Sequence, residues 1–455
     1  MAGGSAIVGS IPTISRNNYL GGEMTERFNL FEGNCLEVMA TMAENSIDSI
    51  VTDPPYELGF MGKSWDSSGV AFNIEVWQEA LRVLKPGGHL LAFSGSRTYH
   101  RMAVAIEDAG FEIRDQIMWI YGSGFPKSHN IAKAIQKASG VEPIGFKENE
   151  GANFLGGDWN ATPRQLFMPP TEGTAAEWDG WGTALKPAHE PIVVARKPLI
   201  GTVANNVLTF GTGGLNIDGA RVAHLSEADR ASATPQGKVT SNKMGGAAPD
   251  TENDGRVEVE RPDTSLGRWP ANVIHDGSDE VVALFPDTGK SGVAVNRNRT
   301  GKKPNEVYEG GWGNLNQDVG FLDSGSAARF FYCAKASKKD RNEGLDGFEE
   351  VKAGSLKMRT DAHSDKNGMN TAPRANHHPT VKPTLLMQYL VRLVTPPNGI
   401  VLDPFLGSGS TGKAAMYEGF NFIGIELTPE YLPIAKARIE FALASKELEL
   451  DFDTP

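Results

Sequence analysis

The sequence predicts an α/β protein built on a doubly wound, Rossmann-like sheet. Three observations carry this. Apolar runs alternate with helical segments from 26 to 121, a glycine-rich strand–turn–helix stands at 399–418, and the strand after it ends on an acid. In order, the pattern gives strand 28–32, helix 35–43, strand 47–52, helix 74–84, strand 89–94, helix 98–109 and strand 111–121. Gly110 stops the helix that Tyr99-His100-Arg101-Met102-Ala103 begins. Residues 122–184 read as an insert carrying Trp159, Trp178 and Trp181, and a strand follows at 191–196. Residues 200–375 show no βα period; Ala231 through Asp263 is polar and reads as loop or disorder, while Gly267–Ile274 and Ala328–Tyr332 read as ordered strands. The chain divides into a flexible N-terminus (1–24), a first half of the sheet (25–199), a middle region (200–375), a second half (376–445) and a tail (446–455).

Asp53-Pro54-Pro55-Tyr56 follows the apolar strand 47–51, and so falls at its carboxyl end, where open α/β sheets place their active sites. The two prolines fix φ and remove two N–H donors, leaving carbonyls held rigidly beside a carboxylate and an aromatic ring. Such a set suits an exocyclic amino group on a planar base. A strand-ending turn is the alternative.

At the other end of the chain, Gly399–Phe405 reads as a buried strand, and Gly407, Gly409 and Gly412 match G-x-G-x-x-G before a helix opening at Lys413. Glu426 ends the next strand nineteen residues after Gly407, the place of a ribose-binding acid. A tight turn packed on the sheet explains the glycines but not Glu426. Nicotinamide dinucleotides and S-adenosyl-L-methionine both fit this pattern.

The two motifs together resemble the signature pair of the beta-group amino-methylating (N6-adenine/N4-cytosine) site-specific DNA methyltransferases, with Asp-Pro-Pro-Tyr first and Asp403-Pro404-Phe405-Leu406-Gly407-Ser408-Gly409 last. His378-Pro379-Thr380-Val381-Lys382-Pro383 resembles the segment leading into the cofactor strand. Leu84–Leu91 resembles the helix end, turn and strand after the catalytic loop, and His189–Val194 the antiparallel seventh strand. The resemblance covers about 30–130, 185–200 and 375–445. It implies a circularly permuted methyltransferase sheet with one antiparallel strand, S-adenosyl-L-methionine as cofactor, and a target-recognition region at 200–375. Asp53, Pro54, Pro55 and Tyr56 would be catalytic. Asn34, Thr380, Lys382, Asp403, Phe405, Gly407, Ser408, Gly409 and Glu426 would bind the cofactor, with Thr380 and Lys382 on its carboxylate side. Asn34 departs from the family's usual Asp at the adenine contact, although its side-chain oxygen can still accept from an amino group. The implied reaction flips an adenine from double-stranded DNA, stacks it on Tyr56 and aims its amine at the methyl donor. N4-cytosine methylation is the nearest rival. A nicotinamide-dependent dehydrogenase leaves Asp53–Tyr56 unexplained, and a non-catalytic relic is disfavoured by two intact motifs.

The 455 residues allow two or three domains, and 40% hydrophobic with 22% charged residues is the balance of a soluble globular protein. No apolar run suggests a membrane span, and no secretory signal is apparent. Cys35 and Cys333 are isolated, which fits a reducing cytoplasm and gives no zinc spacing. A net charge of −12 argues mildly against nucleic acid, but basic runs at 297–303 and 335–341 offer local positive faces. Gly59–Ser64 fails as a phosphate loop because Glu57 stands where glycine is required; Lys63 and Trp65 instead suggest a loop closing over DNA. His377 and His378 have no partner set for a metal and read as a solvated loop. Neither cysteine follows proline, so C5-cytosine chemistry is excluded. A homodimer and a cognate restriction enzyme are left open.

Overall fold

The computed structural model describes residues 26–58, 68–124, 128–141, 145–147, 164–166, 170, 172–227, 229–230, 240–242, 256–258, 265–288, 325–335, 338–350 and 375–452. The expected flexible N-terminus, the Lys63–Trp65 loop, Trp159, the 297–303 basic run and most of 231–263 lie outside these residues.

Along the chain run β1 (Phe28–Glu32), α1 (Cys35–Ala40), β2 (Ile47–Thr52), α2 (Ile74–Val83), β3 (Leu84–Phe93), α3 (Tyr99–Asp108), β4 (Glu112–Ile120) and α4 (Ile131–Ala138). Then follow β5 (His189–Arg196), α5 (Val203–Phe210), β6 (Val273–His275), β7 (Tyr332–Cys333), α6 (Thr384–Val394), β8 (Ile400–Asp403), α7 (Ser410–Tyr417), β9 (Asn421–Glu426) and α8 (Leu432–Phe452). The nine strands form one sheet in the order β1-β9-β8-β2-β3-β5-β4-β6-β7. Every neighbouring pair is parallel except those of β5, which runs antiparallel to both β3 and β4.

Each face carries a helical layer. Met39 of α1, Trp77 of α2 and Ile106 of α3 pack on Ile50, Leu90 and Val193. Leu390 of α6, Met416 of α7 and Ile439 of α8 pack on Val51, Leu91 and Phe422 of the other face. Because adjacent strand residues point to opposite faces, the near-continuous burial along β2, β3 and β8 means that both faces of the sheet are covered there. In α2, buried Val76, Trp77, Ala80 and Val83 form one stripe at helical spacing, and Asn73 caps the helix by accepting from the Glu75 amide.

The halves meet where β2 lies beside β8, with Val401 opposite Ser49 and Leu402 opposite Ile50. Buried Asp48 pins that junction: one oxygen accepts from the Lys85 ammonium at 2.6 Å and the other from the Ile400 amide at 2.8 Å.

Three expectations change in detail. Strand β3 begins at Leu84 rather than 89, because Pro86-Gly87-Gly88 continues the strand; Gly87 has φ +78°, and the β2 pairing shifts register beyond it. The run Gly267–Ile274 is strand only from Val273, since Pro270 donates no ladder hydrogen bond. Ala327–Phe330 is a 3₁₀ turn capped by Ser326, with strand confined to Tyr332–Cys333. Both strands extend the central sheet past β4, so this part of 200–375 is built into the sheet edge.

Removing a partner from a buried ion pair strands a charge. Asp48→Ala is therefore expected to destabilise the fold by about 3–5 kcal/mol, measured by chemical denaturation.

Candidate active site

A parallel strand delivers the residue after its carboxyl end to one edge of the sheet, and β2 and β8 deliver Asp53 and Pro404 side by side. A cavity of about 1240 Å³ opens there. It is lined by Asn34, Asp53, Pro54, Pro55, Tyr56, Thr380, Lys382, Asp403, Phe405, Gly407, Ser408 and Glu426, so the structure gathers all but one of the expected site residues.

The exception is Gly409. A Cβ there would sit 2.9 Å from the Ala435 backbone, and one at Gly412 would sit 2.5 Å from Ile439. These two glycines serve the close approach of α8 and the sheet. Gly407, at φ +52°, is the member of the triplet that faces the cavity.

Glu426 is buried at the end of β9. Its Oε2 accepts from the Gly407 amide at 2.7 Å and its Oε1 from the Thr428 amide at 2.8 Å. Burial raises its pKa, and these amides pull the other way. Each carboxylate oxygen has two lone pairs, so the braced group keeps acceptor capacity for a pair of hydroxyls.

Asp403 lines the cavity and accepts from three donors of the chain. Its Oδ1 accepts from the Thr52 hydroxyl at 2.6 Å and the Phe405 amide at 3.1 Å, and its Oδ2 from the Thr411 hydroxyl at 2.6 Å. It brackets β2, β8 and α7 together. Burial pushes its pKa up to about 6 despite these donors. Asn34 is likewise occupied: its side-chain oxygen caps α1 by accepting from the Leu36 amide at 2.9 Å.

Lys382 has its counter-ions within the chain. Its ammonium, nearly buried, lies 2.7 Å from Asp53 Oδ2 and 3.3 Å from Glu190 Oε2, over the rings of Tyr56 and Phe93. A buried ammonium takes the nearest carboxylates as counter-ions, and here those are Asp53 of the Asp-Pro-Pro-Tyr turn and Glu190 of β5. Burial alone would lower its pKa, but Asp53 and Glu190 outweigh it and hold the lysine above its ordinary value. The Tyr56 hydroxyl donates to Glu190 at 2.9 Å, and the Thr98 hydroxyl donates to the Tyr56 carbonyl at 2.8 Å. Burial and the two carboxylates raise the Tyr56 pKa well above normal. Asp53 Oδ1 is buried and has no hydrogen-bond partner among the described residues. An acceptor left in that state costs free energy until a donor arrives.

His378, expected in a solvated loop, is half-buried beside the site. Its ring packs edge-on against Tyr431, beside Gly407, and burial lowers its pKa to about 4. Among the described residues no cluster of three His, Cys, Asp or Glu has metal-site geometry, and no helix is long and apolar enough to cross a membrane.

Two site residues had no assigned role from the sequence. Glu190 stands near the start of β5. Because β5 runs antiparallel, its beginning shares the edge with the ends of its parallel neighbours, and that reversal was the available signal. Fully buried Arg438 on α8 donates to the Ser408 carbonyl at 2.6 Å and hydroxyl at 3.0 Å, holding the cofactor-motif loop from behind. Nothing in the periodicity of α8 distinguishes it.

The fold and site thus combine a Rossmann-like sheet, a large cavity at the carboxyl ends of its parallel strands, and the acceptors of Asp53-Pro54-Pro55-Tyr56 on the cavity wall. Residues 47–437 match the family model for DNA methylase of the N6/N4 methyltransferase type, and the chain belongs to that family. It is 30% identical over 202 residues to the Type II methyltransferase M.Cfr9I of Citrobacter freundii, covering 44% of this chain and 61% of that protein. Against the DNA adenine methyltransferase YhdJ of Escherichia coli K12 it is 42% identical over 66 residues, 14% of this chain and 22% of that one. The chain thus spans less than two thirds of these relatives. Among solved structures, PvuII DNA methyltransferase (cytosine-N4-specific) aligns with a TM-score of 0.40 at 14% identity over 94% of both chains.

Asp403 binds its proton more tightly folded than unfolded. Its contribution to stability is full below the ordinary value of 3.8 and is lost as pH rises to about 6. Asp403→Asn is expected to flatten the stability–pH curve across that window, read by denaturant titration at a series of pH values.

Proposed function

We propose that the protein transfers a methyl group from S-adenosyl-L-methionine to the exocyclic N6 of adenine in duplex DNA. The observation that carries this reading is the unpartnered, buried Asp53 Oδ1 beside the Tyr56 ring, in one cavity with the Glu426 carboxylate. The residues fit the cofactor: Glu426 offers free lone pairs to ribose hydroxyls, and Phe405 and Gly407 line the approach to Asp53. When bound, the cofactor supplies a methyl group activated by sulfonium charge. Tyr56 stacks the flipped base, and Asp53 Oδ1 accepts from its amino group, which aims the nitrogen lone pair away from the carboxylate. Transfer would form the nitrogen–methyl bond as the methyl–sulfur bond breaks and leaves a neutral thioether, and the amine nitrogen, then positive, would lose a proton to water. The carboxylates around Lys382 favour that developing charge.

Asp rather than Ser at position 53 supports adenine, as does the short match to an adenine methyltransferase. N4-cytosine is the second reading, because the family model spans both amines. The middle region is proposed to read the target. Exposed Trp269 stands there with the Arg221 guanidinium 5.2 Å from its ring, a pairing suited to phosphate and base contact. The Type II names of the relatives support a cognate restriction enzyme as partner.

Incubation with a labelled methyl donor and duplex DNA, followed by digestion to nucleosides, tests the reading. N6-methyladenine is expected; N4-methylcytosine selects the second reading, and unlabelled DNA rejects both. In the same assay Asp53→Ala is expected to abolish transfer while cofactor affinity stays within about twofold, since its carboxylate serves the base. Glu426→Ala is expected to weaken cofactor binding by about 1.5–3 kcal/mol, the scale of hydrogen bonds to a charged group. Calorimetry with unchanged affinity would remove it from the ribose site.

A further inference from the structure

Around Asp53 the charges do not balance. Two carboxylates, Asp53 and Glu190, share one ammonium, Lys382, at 2.7 and 3.3 Å. The same Glu190 oxygen accepts from the Tyr56 hydroxyl at 2.9 Å. Glu190 thus touches both the Tyr56 hydroxyl and the cation that faces Asp53, yet it lies on a strand outside both sequence motifs. Without it, Lys382 would neutralise Asp53 and nothing among these contacts would fix the outer edge of the Tyr56 ring. With it, the ionised trio keeps a net charge of minus one in a largely buried site, where electrostatic effects are little screened.

We propose that Glu190 is a positioning residue for the transfer reaction. It retains the Lys382 ammonium and the Tyr56 hydroxyl when a target amine engages Asp53, and it keeps the pocket negative as charge moves onto the amine nitrogen. The inference rests on the amino-methyltransferase reading and concerns a residue that acts through Asp53, Tyr56 and Lys382. Its geometry is specific. Trp119 is the register partner of Glu190, so the carboxylate is fixed by the ladder between β4 and β5 rather than by a loop.

Glu190→Gln keeps the shape and the acceptor for Tyr56 but removes the charge. Three quantities are measured on the full chain: single-turnover methyl transfer, cofactor affinity by calorimetry, and the fluorescence of a 2-aminopurine placed at the base that the wild type modifies. Removing a preorganised charge is expected to slow transfer by at least about tenfold. Cofactor affinity and melting temperature stay close to wild type, and Glu190→Asp recovers part of the rate. Glu190→Ala, which also frees the Tyr56 ring, is expected to change the 2-aminopurine signal, a cofactor-independent sign of altered base stacking. Wild-type transfer by Glu190→Gln overturns the inference. So does a parallel loss of cofactor affinity and melting temperature, which marks a residue needed only for folding. If the wild type itself transfers no methyl to DNA, the underlying function fails, and this role fails with it.

Discussion

The pairing of β2 with β8 brings the two halves of the sheet, and with them the two motifs, to one edge. Two segments some 350 residues apart become neighbours there, and polar side chains rather than the ladder alone hold them: Asp403 with Thr52 and Thr411, and Asp48 with the Ile400 amide. In a buried junction these donors and acceptors have no water to fall back on, so any slip of register would leave several unsatisfied at once. That penalty fixes the relative height of Asp53 and the Gly407 loop, and it makes one cavity out of two motifs.

Burial then sets the electrostatics. Asp403 is held inside with donors on both oxygens and still binds its proton more tightly than a free carboxyl. Lys382 is nearly buried yet stays charged because two carboxylates surround it. A second layer supports the cofactor loop. Arg438 grips Ser408, while Lys413 on α7 is paired with Asp340 at 2.8 Å and Glu343 at 2.9 Å. Asp340 also accepts from the Thr384 amide at the start of α6. The segment just before 351 is thereby tied to α6 and α7 of the second half, which joins this part of the middle region to the cofactor side.

The alternation of strands and helices and the order of the two motifs were legible because local periodicity encodes them. The element bounds at β1 and β2 agree with the expected strands, and α2 ends within a residue. The Asp53–Tyr56 and Gly407–Glu426 placements were readable for the same reason: each is a turn chemistry attached to a strand end. What local pattern could not carry was the partner of each side chain. Lys382 pairing with Asp53, Glu190 reaching Tyr56 and Asn34 capping α1 all depend on distant strands meeting or on backbone amides. The glycine triplet shows the same limit, since one pattern served a cavity at Gly407 and helix packing at Gly409 and Gly412.

Both motifs are proposed to act on one reactant pair within one cavity. A crystal structure of the protein with a non-reactive methyl-donor analogue and its target duplex tests it most directly. Ribose hydroxyls are expected on Glu426, the flipped base against Tyr56, and the target amine within hydrogen-bond distance of Asp53 Oδ1. A donor seated away from Glu426, or a base amine that leaves Asp53 Oδ1 without a partner, would contradict it.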